Sequence, residues 1–108
     1  MSDAEFFELS ELRRRQTAAG KSYFEFLRNA AMSAGVYVVS PGGSDTQTPH
    51  REDELYYVVR GRARMRAGAE ERVVNTGSVI YVAAGVEHRF HDVEEELTVL
   101  VFFAPPES

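Results

Sequence analysis

From residue 21 onward the chain alternates short apolar stretches with turn-forming residues, and this pattern limits what it can fold into. Segments such as "SYFEFLR", "AGVYVVS" and "SVIYVA" are separated by turn residues at intervals of roughly 8–12 residues. The segment "RARMRA" alternates arginine with apolar residues, which is typical of a half-buried antiparallel strand. About eight such strands predict an all-β domain, which could be a β-sandwich, a jelly roll or a small barrel.

Two turns and a covered surface are expected within this pattern. Gly61 should turn a hairpin between "ELYYVV" and "RARMRA", and the acidic run at 94–96 should turn "VEHRFHDV" into "LTVLVFFA". Gly77 and Gly85 should lie between strands, where positive φ favours glycine. The last strand is apolar on both faces, so the N-terminal segment or a second subunit should cover its outer side. A homodimer is therefore predicted.

The N-terminal segment has a different periodicity. Phe6, Leu9 and Leu12 fall on one face of a helix predicted over residues 3 to about 19, with acidic residues early and the arginines at 13–15 late. Gly20 is expected to end this helix. We therefore predict a short helical segment over residues 1–20 and a single β domain over residues 21–108.

The composition limits which binding partners and which side-chain chemistry can be expected of this protein. The 108 residues suffice for one domain, and the net charge of −5 argues against nucleic acid as a partner. No apolar run is long enough to span a bilayer and no signal peptide is expected, so no membrane partner is predicted. The absence of cysteine excludes disulfides and thiolate ligands and fits a cytoplasmic protein.

The stretch "TPHREDELYYVVRG" suggests half of a metal site. Glu54 opens a predicted strand and shares its face with Tyr56 and Val58. If the residues between His50 and Glu54 form a compact bend, the two side chains can converge on one point. His88 shares a face with Phe90 and Asp92, which predicts an inward side chain, whereas His91 falls on the opposite, solvent face. Two imidazoles and one carboxylate suit a divalent metal. A surface turn plus a core histidine explains the same spacing.

Residues 42–61 resemble the first motif of the cupin superfamily, which has the form G-x5-H-x-H-x3/4-E-x6-G. Gly42, Thr48, His50, Glu54 and Gly61 keep that spacing, with Thr48 in place of the first histidine. The resemblance extends over most of the chain, from about residue 36 to 103.

Residues 77–92 resemble the second motif, G-x5-P-x-G-x2-H-x3-N. Gly77, Gly85 and His88 match it, while Ala83 and Asp92 replace the proline and the asparagine. The resemblance implies a double-stranded β-helix, the jelly-roll barrel of cupins, preceded here by a short N-terminal helix. The amino-acid sequence of the first motif resembles that of small single-domain bacterial cupins.

The resemblance also implies a ligand set of His50, Glu54 and His88 for a divalent transition metal, such as iron, manganese, nickel, zinc or copper. Thr48 is a poor ligand, so water could fill its place, or Gln47 could supply an amide oxygen. A shifted register that pairs His50 with Glu52 is an alternative. A cupin that has lost its metal is another.

Cupins include oxygenases and isomerases as well as binding modules, and the fold does not choose among them. We therefore expect either a metal-dependent oxygenase or isomerase acting on a small organic molecule, or a non-catalytic module that binds a small ligand with weak or no metal. Tyr56, Met65 and Phe90 are expected to line the pocket, with Phe24, Phe26 and Tyr37 as further contributors. The same side chains would also serve as plain core.

Overall fold

The computed structural model describes residues 3–43, 45 and 49–108, and in this part of the chain one helix precedes six strands. The elements are α1 (Leu9–Ala19), β1 (Tyr23–Arg28), β2 (Ser33–Val39), β3 (Asp53–Ala67), β4 (Glu70–Asn75), β5 (Val79–Val82) and β6 (His88–Ala104). All pairings are antiparallel, in the order β1-β2-β6-β3-β4, and β5 also pairs with β3. The predicted all-β fold with a short N-terminal helix is confirmed.

Two of the expected turns are wrong, because β3 and β6 are long strands that continue through them. β3 has 15 residues and β6 has 17, and they pair from Asp53↔Ala104 to Ala67↔His88. Gly61 lies inside β3 with φ 105°, where a Cβ would lie 2.3 Å from the carbonyl oxygen of Glu96. Glycine is needed there for close approach of two strands. It does not make a hairpin turn.

Residues 92–94 form a bulge that replaces the expected acidic turn. Arg64 pairs with His91 and Arg62 with Glu95, so β6 advances four residues while β3 advances two. Asp92 has φ 48° at this point and is exposed. The expectation that Asp92 shares an inward face with His88 is therefore wrong, since a bulge interrupts the alternation of side chains.

The inward faces of β3 and β6 form the centre of the core. Tyr56, Val58, Leu97 and Val99 are completely buried. On β3 the residues alternate as predicted, with Met65 buried and the arginines of "RARMRA" directed outward. Gly77 and Gly85 lie between strands with positive φ, as predicted.

The helix is shorter than predicted. It begins at Leu9, and Glu8 at its N-cap position makes no side-chain capping bond. Phe6 is 94% exposed, while the ring of Phe7 packs against that of Phe26 at 4.8 Å. Residues 4–8 lie outside regular structure, and Phe7 among them packs against β1 through Phe26. Gly20 ends the helix as predicted, with φ 67°.

Helix α1 covers part of the outer sheet surface. Leu12 and Gln16 are buried, and the amide of Gln16 donates to the carbonyl oxygens of Ser22 and Val36. Across β3 and β5 the outer face stays open and apolar, with Leu55, Tyr57, Val79 and Tyr81 exposed. The homodimer stays a prediction. Within the part of the chain that the structure describes, no helix has the length and apolar character needed to cross a membrane.

We predict that Gly61→Ala destabilises the fold more than Gly77→Ala. Both glycines have positive φ, which costs an alanine about 1–2 kcal/mol, but only Gly61 faces another backbone. Overpacking should add about 1–3 kcal/mol at Gly61. Urea unfolding of both variants measures the difference, and equal losses would show that β3 and β6 do not pass closely at this point.

Candidate metal centre

The bend of the long β3–β6 ribbon brings two distant residues together. Glu54 lies at the start of β3, whereas His88 pairs with Ala67 at the end of the same strand. Even so, the Nε2 atom of His88 lies 2.9 Å from Oε1 of Glu54. The two ends of the ribbon must therefore face each other across the interior, and the bulges near Gly61 and Asp92 permit that curvature.

Backbone contacts hold His50 beside this pair. The amide of Gly85 donates to the carbonyl oxygen of His50 at 2.7 Å, and the amide of Ala84 donates to the carboxylate of Asp53 at 2.9 Å. The loop that precedes His88 is thus tied to the segment that enters β3. Hydrogen bonds from the second motif therefore hold the first motif in position.

A buried nitrogen atom of His88 faces a buried oxygen atom of Glu54, and no hydrogen bond joins the two. The Nδ1 atom of His88 lies 2.9 Å from the carbonyl oxygen of Val86, to which Nδ1–H donates. In neutral His88 the Nε2 atom therefore carries a lone pair, as does the facing Oε1 of Glu54. Both atoms are buried, and neither has a hydrogen bond of acceptable geometry to any residue that the structure describes. Such a pair needs a cation, either a proton or a metal ion.

His50 supplies the third donor. Its Nε2 atom lies 3.8 Å from Oε1 of Glu54, and its Nδ1 atom lies 3.4 Å from Oε2 of Glu107. One ligand atom from each of His50, Glu54 and His88 lies within 4.8 Å of the other two. Ligands that each lie about 2.1 Å from a divalent ion are about 3 Å apart at a right angle, which matches the His88–Glu54 separation.

The electrostatics of the site favour a positive charge. Burial lowers the pKa of His88, but the adjacent carboxylate of Glu54 and the carbonyl of Val86 outweigh it and raise the pKa above its ordinary value. Burial, with the nearby negative charges of Glu54 and Glu52, raises the pKa of Glu107 despite the opposing effect of His50. A metal ion would satisfy these groups without a proton.

A cavity of about 190 Å³ adjoins two of the three residues, His50 and Glu54. Its lining is largely aromatic and comprises Tyr23, Tyr37, His50, Glu54, Tyr56, Val101, Phe103 and Glu107. Among the described residues, none is a hydrogen-bond partner of the buried hydroxyl of Tyr23. Burial raises the pKa of this hydroxyl far above its ordinary value, so it stays protonated and can donate to a bound molecule.

The predicted pocket residues lie in different places. Tyr56 lines the cavity, and Phe90 packs edge-on against Tyr56 with ring centroids 5.0 Å apart. Met65 is buried in the core and borders a separate cleft beside β4 and β5. Tyr37 also lines the cavity, whereas Phe24 lies beneath Arg15 of the helix and Phe26 against Phe7, on the helix side of the sheet.

Of the other histidine and acidic candidates, Glu52 and His91 are not part of this cluster. Gln47 and Thr48 lie outside the described residues. Glu52, the partner of His50 in the alternative register, is buried and accepts a hydrogen bond from Ser108, whereas the cluster contains Glu54. His91 contacts Glu71 at 2.8 Å on the outer surface, away from the three donors, as the alternation of "HRFH" predicted.

Sequence reasoning missed three residues of the site. Tyr23 lies over Gly35, where a Cβ would come within 2.3 Å of its ring, so a glycine opposite an aromatic residue was the signal available. Asp45 is buried and accepts from the hydroxyl of Tyr37 and from the amide of Phe90. Glu107 follows a Pro-Pro pair, and no sequence pattern indicated that it would lie at the site.

Fold and site together define a small antiparallel double-stranded β-helix domain with a histidine–carboxylate cluster inside. The family model for the cupin domain matches residues 35–104, so the chain belongs to the cupin family. An uncharacterised protein of Streptomyces coelicolor is 49% identical over 102 residues, which cover 94% of this chain and 97% of that protein.

Solved structures agree on the fold. A protein of Thermus thermophilus has a TM-score of 0.80 at 24% identity, with 95% of this chain and 99% of that one covered. The structure of iron(II) HppE in complex with substrate has a TM-score of 0.64 at 20% identity, with 75% of this chain and 52% of that one covered. At these identities the likeness shows the fold alone.

The raised pKa of His88 predicts a pH dependence of the metal-free protein. The attraction between protonated His88 and the carboxylate of Glu54 stabilises the fold. This stabilisation is fully present below the usual histidine pKa of about 6.5 and is lost as the pH rises through the raised pKa of His88. Urea unfolding of chelator-treated wild type and Glu54→Gln checks this. The advantage of the wild type should shrink towards alkaline pH, and an advantage that is constant with pH would contradict the pairing.

Proposed function

We propose that this protein is a metal-dependent cupin that binds one divalent transition metal through His50, Glu54 and His88. The observation that carries the proposal is the pair of buried atoms, Nε2 of His88 and Oε1 of Glu54, which face each other at 2.9 Å without a hydrogen bond. Such a pair is costly in a dry interior unless one cation binds both atoms. With His50, the pair gives a two-histidine, one-carboxylate set that leaves other positions open.

When bound, the metal supplies a Lewis acid or an oxygen-binding centre. The chain's own residues orient and isolate it. The carbonyl of Val86 fixes the tautomer of His88, and the hydroxyl of Tyr23 donates to an acceptor on the bound molecule. Tyr56 and Phe103 exclude water from the inner wall of the cavity.

The cavity favours a small organic substrate. Its volume of about 190 Å³ lies below the roughly 300–1,000 Å³ of sites for drug-sized ligands. Its aromatic walls suit a flat molecule, and Tyr23 suits one with a carbonyl or hydroxyl oxygen. We propose an oxygenase or an isomerase acting on such a molecule. The iron(II) and substrate in the fold neighbour HppE are consistent with this proposal.

A non-catalytic binding module is the second candidate. The observation that favours it is Thr48, which stands where the family's first motif has a histidine. With one fewer imidazole, the metal would be held less tightly. The cavity with Tyr23 would then serve as a ligand pocket, and metal would be present at a low level or absent.

We predict that tag-free wild type carries close to one equivalent of divalent metal, and that His88→Ala and Glu54→Gln lose most of it. His88→Ala removes a buried donor, and Glu54→Gln removes the one anionic donor of the three. Elemental analysis of purified protein measures the metal content, and circular dichroism checks that the variants remain folded.

His91→Ala is the matched control, because His91 is a histidine of the same strand that contacts Glu71 on the outer surface. This variant should keep the metal content of the wild type. Substoichiometric metal in folded wild type would favour the binding module. A large loss in His91→Ala would mean that the metal binds elsewhere.

Oxygen uptake distinguishes the enzyme from the binding module. Anaerobically iron-loaded wild type should consume oxygen when a small aromatic or keto compound is added, and His88→Ala should not. Tyr23→Phe should raise the KM for that compound about fivefold, because one hydrogen bond of about 1 kcal/mol is lost. If no compound in a broad panel stimulates uptake by iron-loaded protein, the oxygenase assignment is wrong.

A further inference from the structure

We infer that the C-terminal segment, residues 105–108, completes the metal site, and that Glu107 is the positioning residue for His50. The inference rests on the proposed metal function and deepens it, because it assigns the element that holds the least buried of the three donors. None of the cupin motif positions includes this segment, since both motifs end before it.

The segment is fixed by contacts to both sides of the cavity. The amide of Glu107 donates to the hydroxyl of Ser33 at 3.0 Å, and the guanidinium of Arg28 donates to the carbonyl of Glu107. On the opposite side, the hydroxyl of Ser108 donates to the buried carboxylate of Glu52 at 3.0 Å. The chain end thus runs from β1 and β2 to the start of β3, beside Glu54.

These contacts direct the carboxylate of Glu107 at His50. Its Oε2 atom lies 3.4 Å from Nδ1 of His50, while Nε2 of the same ring faces Glu54. A carboxylate beside Nδ1 favours the tautomer with the proton on Nδ1 and leaves the lone pair on Nε2. The carbonyl of Val86 does the same for His88. Both imidazoles are then oriented with Nε2 towards Glu54.

The placement of Glu107 also fits a site for a cation. Its side chain is 28% exposed, lines the cavity and lies near the carboxylates of Glu54 and Glu52. Like charges brought together and partly removed from water repel one another. A divalent cation held by His50, Glu54 and His88 would offset this repulsion. Glu107 would therefore add to metal affinity through His50 and through its charge, without being a ligand.

The test compares Glu107→Ala and Glu107→Gln with the exposed control Glu95→Ala, using Zn²⁺ alone as the probe. A competition titration against a chromophoric chelator gives the Kd for zinc. Loss of an outer partner of a ligand typically weakens binding about 10–100-fold, and since Glu107 is partly exposed, Glu107→Ala should weaken it about tenfold. Glu107→Gln keeps an acceptor and should recover part of the loss. Glu95→Ala should bind as the wild type does.

The ring of His50 gives a second readout that needs no metal. In chelator-treated protein, ¹⁵N shifts of the imidazole should show the proton on Nδ1 in the wild type and a shift towards the Nε2–H tautomer in Glu107→Ala. A zinc affinity and a tautomer that both stay unchanged would overturn the inference. So would weaker zinc binding with an unchanged tautomer and no recovery in Glu107→Gln, because the segment would then be merely structural.

The two proposals fail in different ways. If the wild type binds no zinc but the tautomer of His50 still depends on Glu107, the positioning role stands and the proposed metal function falls. If the wild type binds zinc through His88 and Glu54 while Glu107→Ala matches Glu95→Ala in both readouts, the metal function stands and the inference falls.

Discussion

The 2.9 Å approach between Nε2 of His88 and Oε1 of Glu54 is the interaction on which the account depends. It joins the two ends of one long β ribbon, so it can exist only if β3 and β6 bend along their length. The bend requires a glycine at position 61 and extra residues near Asp92. Because neither atom is hydrogen-bonded, the same contact that closes the domain also creates a demand for a cation. The closure of the fold and the proposed metal binding therefore both depend on this one pair of atoms.

The two histidines of the site are oriented by different groups of the chain. A backbone carbonyl, that of Val86, orients His88, and the amide of Gly85 fixes the backbone of His50. Glu107 reaches His50 from the end of the chain. Tyr23 adds an unpartnered hydroxyl to the cavity wall beside them. The site is thus assembled from residues near the beginning, in the middle and near the end of the sequence, and a change in any of them should alter the proposed metal binding.

The sequence predicted the β class, the capping role of Gly20, the inward face of His88 and the meeting of His50 with Glu54, because these follow from local alternation and from motif spacing. It failed at Gly61 and at residues 94–96, since a glycine or an acidic run marks a bulge as readily as a turn. It also failed at the helix start, since residues 4–8 are not helical and Phe7 packs against Phe26 of β1. Glu107 could not be foreseen, because its role depends on long-range contacts that no periodicity encodes.

The most direct test of the central claim is an anomalous diffraction map of crystals of tag-free protein, recorded at the absorption edge of the metal found by elemental analysis. The account predicts one strong peak bounded by Nε2 of His50, Oε1 of Glu54 and Nε2 of His88. A peak at another place would contradict it, as would metal-saturated crystals in which His88 is hydrogen-bonded to Glu54 and no peak adjoins the two residues.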